Sequence, residues 1–553
     1  MDKTRMQQYM SQMRAMFNKH ALYSDESPQY QIPFEPNPGD TVKIRFRTLK
    51  NNVDAVYFIS GSTRAQMQVG LVRNGFDYYE IEIPVGNEPI RYFFEIQAGR
   101  VVCYYNKLGV TRELQEMYSF GIIPGFHTPD WAKGAVMYQI FVDRFCNGDP
   151  SNDVLTGEYS YIGEQVNKVD DWNRFPEQMD VRNFYGGDLQ GVIDKMDYLQ
   201  DLGVQVIYLN PVFVSPSNHK YDIQDYDYID PHFGKIVSDE GDLLWPGDKD
   251  NTRATRYIDR VTNKANLEAS NELFIHLVEE AHKRGMKVHA WFNPYRVSVN
   301  TKPSTIAELN NTLTQVPASV FVLHRNWIRT ASDRFVLDPG IPEARDWITS
   351  IVAEVVQNYP IDGVQFDDYF YTETASSPLN DNETFRRYGQ GYASKGDWRR
   401  HNTQQLIAQV STTIKKLNPN VEFGVSPAGV WRNRSHDPAG SDTRGAAAYD
   451  ESYADTRSWV QQGLLDYIAP QIYWPFARDA ARYRAGRRWR FNYIVTFCTG
   501  FFYPNSADHF QGATHQFQLL STDFTQIIQL TATLRATTFF RLQAVYFTGK
   551  MCW

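Results

Sequence analysis

Two adjacent carboxyl groups, Asp367 and Asp368, close the apolar run IDGVQF. Cleaving a glycosidic bond takes one carboxylate to meet the oxocarbenium-like centre and one acid to protonate the leaving oxygen. Asp367 suits the first role. Gln365 lies two residues before it, so on a strand both side chains share a face, with Asp368 on the other face or in the loop. An Asp-Asp pair at a strand end also serves as an ordinary turn cap. The partner acid is open: Asp442, Asp450, Glu451 and Asp455 all follow the next apolar run, and each alone reads equally as a solvated loop charge. A second cluster is NGDPSND, with Asn147, Asp149, Asn152 and Asp153. Oxygen side chains packed this closely suit a hard cation such as Ca²⁺; a metal-free Asx-rich turn is the alternative.

Other polar and aromatic residues that follow apolar runs are candidate substrate contacts. They are His219, Tyr221 and Asp222 in NHKYDIQDYDY, Asn293, Tyr295 and Arg296 in FNPYR, Tyr369 behind the Asp pair, Trp431 after VEFGVSP, and Gln471, Tyr473 and Trp474 in PQIYW.

The elements that must position these groups show in the periodicity. Up to about residue 125, short alternating runs such as Val42 to Phe46, Ala55 to Ile59, Tyr78 to Ile83 and Ile90 to Ile96 predict a small β-sandwich, with Pro124 to Trp131 as a linker. From Ala135 the texture changes to apolar runs alternating with amphipathic helices. GGDLQGVIDKMDYLQDLG predicts one helix, capped by Asp188 and stopped by Gly203; ELFIHLVEEAHKRG predicts another, stopped by Gly285. Six strand–helix units in series imply a parallel sheet, and polar and aromatic residues after each strand favour a closed (β/α)₈ TIM-type barrel. A doubly wound sheet is disfavoured because no glycine-rich phosphate loop follows a strand. Beyond Arg482 the chain carries no Glu and only Asp508 and Asp523, and the pattern weakens; YIVTF and QAVYFTG are candidates for the last two strands of an imperfect barrel. The expected division is 1–125, 126–288, 289–483 and an atypical 484–553.

Composition bounds the partners. A net charge of −8 argues against a nucleic-acid or membrane surface. The aromatic share of 14% suits either sugar stacking or a large core. Four scattered cysteines fit a reducing compartment, and no apolar signal core or membrane-length stretch is present, so a cytoplasmic protein is expected.

The motifs also carry two resemblances. YQIFVDRFCNGDPSND, FYGGDLQGVIDKMDYLQDLGV, IYLNPVF and SPSNHKYDIQDYDYIDPHFG resemble the neopullulanase and cyclomaltodextrinase branch of glycoside hydrolase family 13, the α-amylase superfamily, up to about Val288. That resemblance implies an Ig-like, starch-binding-type first module and a calcium site at Asn147, Asp149, Asn152, Asp153, Gly186 and Asp188. It also implies a sugar subsite at His219 and Tyr221, and a homodimer formed through the first module. HAWFNPYR, FVLDPGIPEARDWI, DGVQFDDYFY, GDWRRHNTQQLI, FGVSPAGVWRN and YADTRSWVQQGLLDYIAPQIYWPF resemble the glycosyl hydrolase-like family 10 proteins, barrels linked to bacterial cell-wall glycan strands. The chain thus reads as a chimera joined at EEAHKRGMKVHAWF. Asp367 aligns with the first family's nucleophile, but Gln365 stands where that family has Arg and Pro294 where it has His. The family's acid Glu and its later Asn-His-Asp motif have no counterpart here. The implied activity is hydrolysis of α-glucans of the maltodextrin, cyclodextrin or pullulan type. The alternatives are hydrolysis of β-linked cell-wall glycan, or sugar binding without turnover. No organic cofactor is implied.

Overall fold

The computed structural model describes residues 17–126, 130–132, 135–177, 180–307, 319–472, 480–481, 496–497 and 544–546. The chain divides into two compact units, one ending at Asp130 and one beginning at Trp131.

The first unit is an all-β, Ig-like sandwich. Alternation writes its strands: along Thr41–Leu49, Val42, Ile44, Phe46 and Thr48 are buried and their neighbours are not. This strand pairs antiparallel with Gln31–Ile32 and Phe76–Pro84, and Gln68–Arg73 completes that sheet. The facing sheet is built around Ile90–Ala98, which pairs with Ala55–Ser60, Val101–Asn106 and Phe120–Ile122. Between the sheets, Phe46, Phe58, Tyr92, Phe94, Tyr105 and Phe120 form a continuous ring cluster with centroids 4.8 to 6.5 Å apart.

Among the described residues, the second unit is built on an eight-stranded parallel sheet in the manner of an imperfect TIM-type barrel. In chain order its strands are Ala135–Ile140, Val206–Leu209, Lys287–Phe292, Gly363–Phe366, Glu422–Val425, Tyr467–Ile468, Thr496–Phe497 and Ala544–Tyr546. Among the described residues they pair in the order sixth, fifth, fourth, third, second, first, eighth, seventh, with the eighth beside the first as in a barrel. The last two strands come from YIVTF and QAVYFTG, and the eighth pairs with the first through Ala135–Ala544 and Val136–Val545.

Parallel strands buried on both faces read as continuous apolar runs. Here the two faces differ. Outward, Ile207, Val288, Phe292, Val364, Phe366, Phe423 and Val425 pack against Leu277, Val278, Ile348, Val352, Leu406 and Val410 of the helices Lys264–Lys283, Pro342–Asn358 and Lys395–Leu417. Inward, Met137, Val206, Tyr208, Trp291, Tyr467 and Ala469 fill the barrel. The expected single helix after Asp188 is two: Leu189–Asp194 and Met196–Asp201 meet at Lys195 (φ −100°, ψ 8°), whose N–H bonds the Val192 carbonyl three residues back, a local 3₁₀ turn. Asp188 does cap it, accepting from the Gly191 N–H.

Inside the barrel Gly424 has no room for a side chain. A Cβ there would lie 2.2 Å from the ring of Tyr467. That ring cannot yield freely, because its hydroxyl bonds Gln365 Oε1 and His289 Nδ1, both at 2.9 Å. Gly424→Ala is therefore expected to destabilise the fold by about 1–3 kcal/mol, read as a shift in denaturant midpoint with unchanged slope.

Candidate active site

Because side chains alternate along a strand, the inward row of the fourth strand runs Gly363, Gln365, Asp367. Gln365 is held by Tyr467 in the barrel interior, and Asp367 sits one pleat higher, at the C-terminal mouth. Asp367 is buried (5% exposed) and Asp368 half-buried. The Asp367 Oδ1 atom accepts the Asp368 backbone N–H at 2.9 Å and Gln471 Nε2 at 2.8 Å. Gln471 is itself fixed by donating to the Ser426 carbonyl at 2.8 Å. Asp368 follows directly in the chain, and its charge acts on Asp367. Burial, then the neighbouring Asp368 charge, pushes Asp367 well above the usual carboxylate range, against the pull of the Asp368 N–H and Gln471. Burial also raises Asp368. Burial and the neighbouring carboxyl thus both favour the protonated form of Asp367.

An aromatic and cationic wall surrounds this mouth. Tyr221 packs on Trp291 (5.4 Å) and Tyr369 (6.4 Å), and the Arg296 guanidinium lies over both tyrosine rings at 5.7 and 5.4 Å. Asn293 is fully buried with its Nδ2 unpaired while its Oδ1 accepts from Trp291 Nε1. His219 and Tyr221 ride on the loop between the short strands Phe213–Val214 and Asp225–Ile229. Burial pushes His219 down to about 4, so its ring is neutral near pH 7. Its Nδ1 accepts the Tyr221 N–H at 3.0 Å, which leaves the proton on Nε2. Asp222 is enclosed by the hydroxyls of Tyr161, Ser215 and Ser217 and braces this loop from behind. Lys220, between His219 and Tyr221 in a left-handed conformation (φ 57°), anchors it by bonding Asp230 at 2.6 Å.

Other candidates have different surroundings. Tyr295 is 1% exposed and belongs to the core between strands and helices. Trp431 donates to Asp455 at 2.9 Å and carries Arg457 over its ring. Asp450 is paired with Arg432 and His436. Glu451 accepts the Ala447 N–H at the start of its short helix, and Asp455 caps Thr456–Gln461. Asp442 is exposed. No hydrogen bond or ion pair among the described residues joins any of these four to the Asp367–Asp368 pair. Tyr473 and Trp474 lie outside the described residues.

The NGDPSND loop folds against Gly186 and Asp188. Asp188 is satisfied by the N–H groups of Gly148, Asp149 and Gly191. Asp149 bonds Ser151, and Asp153 accepts from Asn147 Nδ2 at 2.8 Å and Lys168 Nζ at 2.7 Å. The Oδ1 atoms of Asn147 and Asn152 are enclosed without a hydrogen-bond partner. Gly186 (φ 78°) comes so close that a Cβ would lie 2.3 Å from Asp153 Oδ1. Among the described residues no three His, Cys, Asp or Glu side chains converge as a metal set, so the fit to a hard cation rests on the orphaned amide oxygens and this close backbone approach.

Sequence reasoning missed the inward layer of His289, Trp291 and Tyr467, although the period-two spacing of the first two was there to read. It also missed a buried ionic cluster of Glu158, Lys220, Asp230, His232 and Arg260, whose members are far apart in sequence. Among the described residues no helix is long and apolar enough to cross a membrane.

Three sequence families match the chain. Residues 16–123 match the alpha amylase N-terminal ig-like domain, 139–244 the alpha amylase catalytic domain, and 212–511 Glycosyl hydrolase-like 10. Glycosyl hydrolase DigH of Escherichia coli (strain K12) is 62% identical over 300 residues, 54% of this chain and 61% of that protein. Glycosyl hydrolase YngK of Bacillus subtilis (strain 168) is 44% identical over 221 residues, 39% of this chain and 42% of that one. A cyclomaltodextrinase of Thermoanaerobacter pseudethanolicus is 35% identical over 232 residues, 39% of this chain and 37% of that one. The chain spans less than two thirds of each relative, and the two kinds of match meet within the barrel.

Proposed function

We propose that this chain, which belongs to the glycosyl hydrolase-like 10 family, binds a glycan across the C-terminal mouth of its barrel and hydrolyses a glycosidic bond there. The observation that carries this reading is the buried Asp367 carboxyl, held by the Asp368 N–H and Gln471 and raised by burial, beneath the wall of Tyr221, Tyr369 and Arg296. Flat rings suit the apolar faces of sugars, and a carboxyl kept neutral by burial suits protonation of a leaving oxygen. The pair gives a proton as the C–O bond breaks, water adds to the anomeric carbon, and the pair takes back the proton that water loses. In this reading Asp367 and its chain neighbour Asp368 serve together as the acid. The missing Arg points the same way: neutral Gln365, tied to Tyr467, offers no charge to hold Asp367 ionised.

The substrate reading is an α-linked glucan, supported by the packed rings of His219 and Tyr221, where the resemblance implies a sugar subsite, and by the match of residues 139–244. A β-linked glycan strand is the second reading, because Asn293, Arg296, Asp367 and Gln471 all lie in the stretch that matches Glycosyl hydrolase-like 10. Calcium belongs to the proposal too. Asn147, Asp149, Asn152, Asp153, the Gly186 carbonyl and Asp188 would hold it, and it would supply structural cross-linking of the loop rather than chemistry. The test is release of reducing ends from maltodextrin and from peptide-free β-linked glycan strands in parallel. Release from maltodextrin is the expected result. Release from the β-linked strands alone transfers the substrate to the second reading, and release from neither by folded protein contradicts hydrolysis.

A further inference from the structure

We propose that Lys168 is a tethered cation that competes with a divalent metal ion for Asp153, so that the loop 147–153 is clamped either by its own ammonium or by Ca²⁺. The inference rests on the reading of this loop as a calcium site. Lys168 Nζ stands 2.7 Å from Asp153 Oδ2, and the side chains are 32% and 2% exposed. The ammonium can therefore withdraw into water on its flexible stem, whereas the carboxylate cannot leave. The other Asp153 oxygen is taken by Asn147 Nδ2. Asn152, itself 0% exposed, spends its amide hydrogens on Asp188 and the Gly234 carbonyl, which leaves its Oδ1 enclosed with no donor. Asn147 Oδ1 is left in the same way. An ammonium has three hydrogens and satisfies one carboxylate here, while Ca²⁺ gathers about six to eight oxygens at once. The orphaned amide oxygens thus mark what the lysine does not replace: the loop is charge-compensated by Lys168 but not fully coordinated.

Lys168 sits on the short strand Asn167–Lys168, which pairs with Asn183–Phe184 just ahead of Gly186. The competitor is thereby delivered by backbone structure and not by a chance surface rotamer. A metal ion arriving at Asp153 must displace the ammonium, and the affinity it shows is reduced by that displacement.

The test is calorimetric titration of CaCl₂ into the intact, chelator-stripped chain, with thermal melting in chelator and in Ca²⁺ as a second readout. Lys168→Met is expected to bind Ca²⁺ about three- to fivefold more tightly than the unaltered chain, from loss of one partly buried ion pair. It is also expected to melt lower in chelator and to gain more on adding Ca²⁺. Lys249→Met removes an exposed lysine paired with Glu164 and controls for net charge; its affinity stays that of the unaltered chain. Lys168→Gln, which keeps a polar side chain, serves if the Met variant does not fold. Equal affinity in the Lys168 variants and the unaltered chain overturns the competition while leaving the calcium reading intact. No Ca²⁺ binding in any of them overturns both.

Discussion

Asp367→Asn lowers the rate of glycan hydrolysis by roughly 10²–10⁴-fold, the usual worth of a positioned general acid, while the protein stays folded. The carboxamide keeps the shape and can still accept the Asp368 N–H and Gln471 Nε2 bonds, so geometry is preserved and only the proton is lost. Stability supplies the internal control. Carboxyls raised by burial ionise more easily in the unfolded chain than in the fold. Their penalty is therefore absent below the ordinary carboxylate range and is fully present above the pair's raised folded values. Removing one of them is expected to leave the melting temperature near neutral pH unchanged or higher. The pH dependence has a definite sign as well. An acid works only while protonated, so kcat/KM falls as pH rises through the pair's apparent pKa, and that alkaline limb is absent from whatever activity Asp367→Asn retains. If Asp367 were an ionised nucleophile, the same titration would appear as a rise in rate with pH.

Arg260→Met is expected to cost about 3–5 kcal/mol of stability, because it breaks a buried ion pair and leaves Glu158 with one basic partner instead of two. Arg260 is 1% exposed. Its NH1 bonds Glu158 Oε2 and the Asp153 carbonyl, both at 2.9 Å, and its Nε bonds Asp239 at 2.9 Å. Glu158 also meets His232 Nε2 at 2.7 Å, and His232 Nδ1 meets Asp230 at 2.9 Å. A histidine between two carboxylates donates from both nitrogens and is an imidazolium. Burial works against its charge, yet Glu158 and Asp230 outweigh it and hold its pKa above the ordinary value. The stability that His232 adds is full below the unfolded value near 6.5 and is lost as pH rises through the raised folded value. In Arg260→Met one of the two basic partners of Glu158 is gone, so the denaturation midpoint falls near neutral pH, and the loss shrinks as pH falls through the lowered folded value of Glu158. A loss below about 1 kcal/mol would mean that water or a rearranged Lys220 replaces the guanidinium.

How much of this was written locally can be argued residue by residue. The strands Val206–Leu209 and Gly363–Phe366 are buried on both faces, so their apolar runs announce them. Gly203 and Gly285 stop helices in left-handed conformations (φ 82° and 73°), which is why they could be read as stops. The shared face of Gln365 and Asp367 follows from the pleat alone. By contrast, Glu158 and Arg260 are 102 residues apart, and no spacing rule reports a contact made only when the insertion between the second and third strands folds back. The fates of Asp450, Glu451 and Asp455 were equally hidden, because a carboxylate that caps a helix or pairs with Arg432 looks in sequence like any other loop acid. The helix break at Lys195 carries no Gly or Pro to announce it, since Lys195 lies between Asp194 and Met196.

The most direct measurement is a crystal structure of Asp367→Asn soaked separately with an α-linked glucan oligosaccharide and a β-linked cell-wall oligosaccharide. The account predicts a sugar chain seated against Tyr221 and Tyr369, with a glycosidic oxygen about 2.6–3.2 Å from the side chain at position 367. A sugar bound elsewhere on a folded chain, or no sugar from either soak, would contradict it.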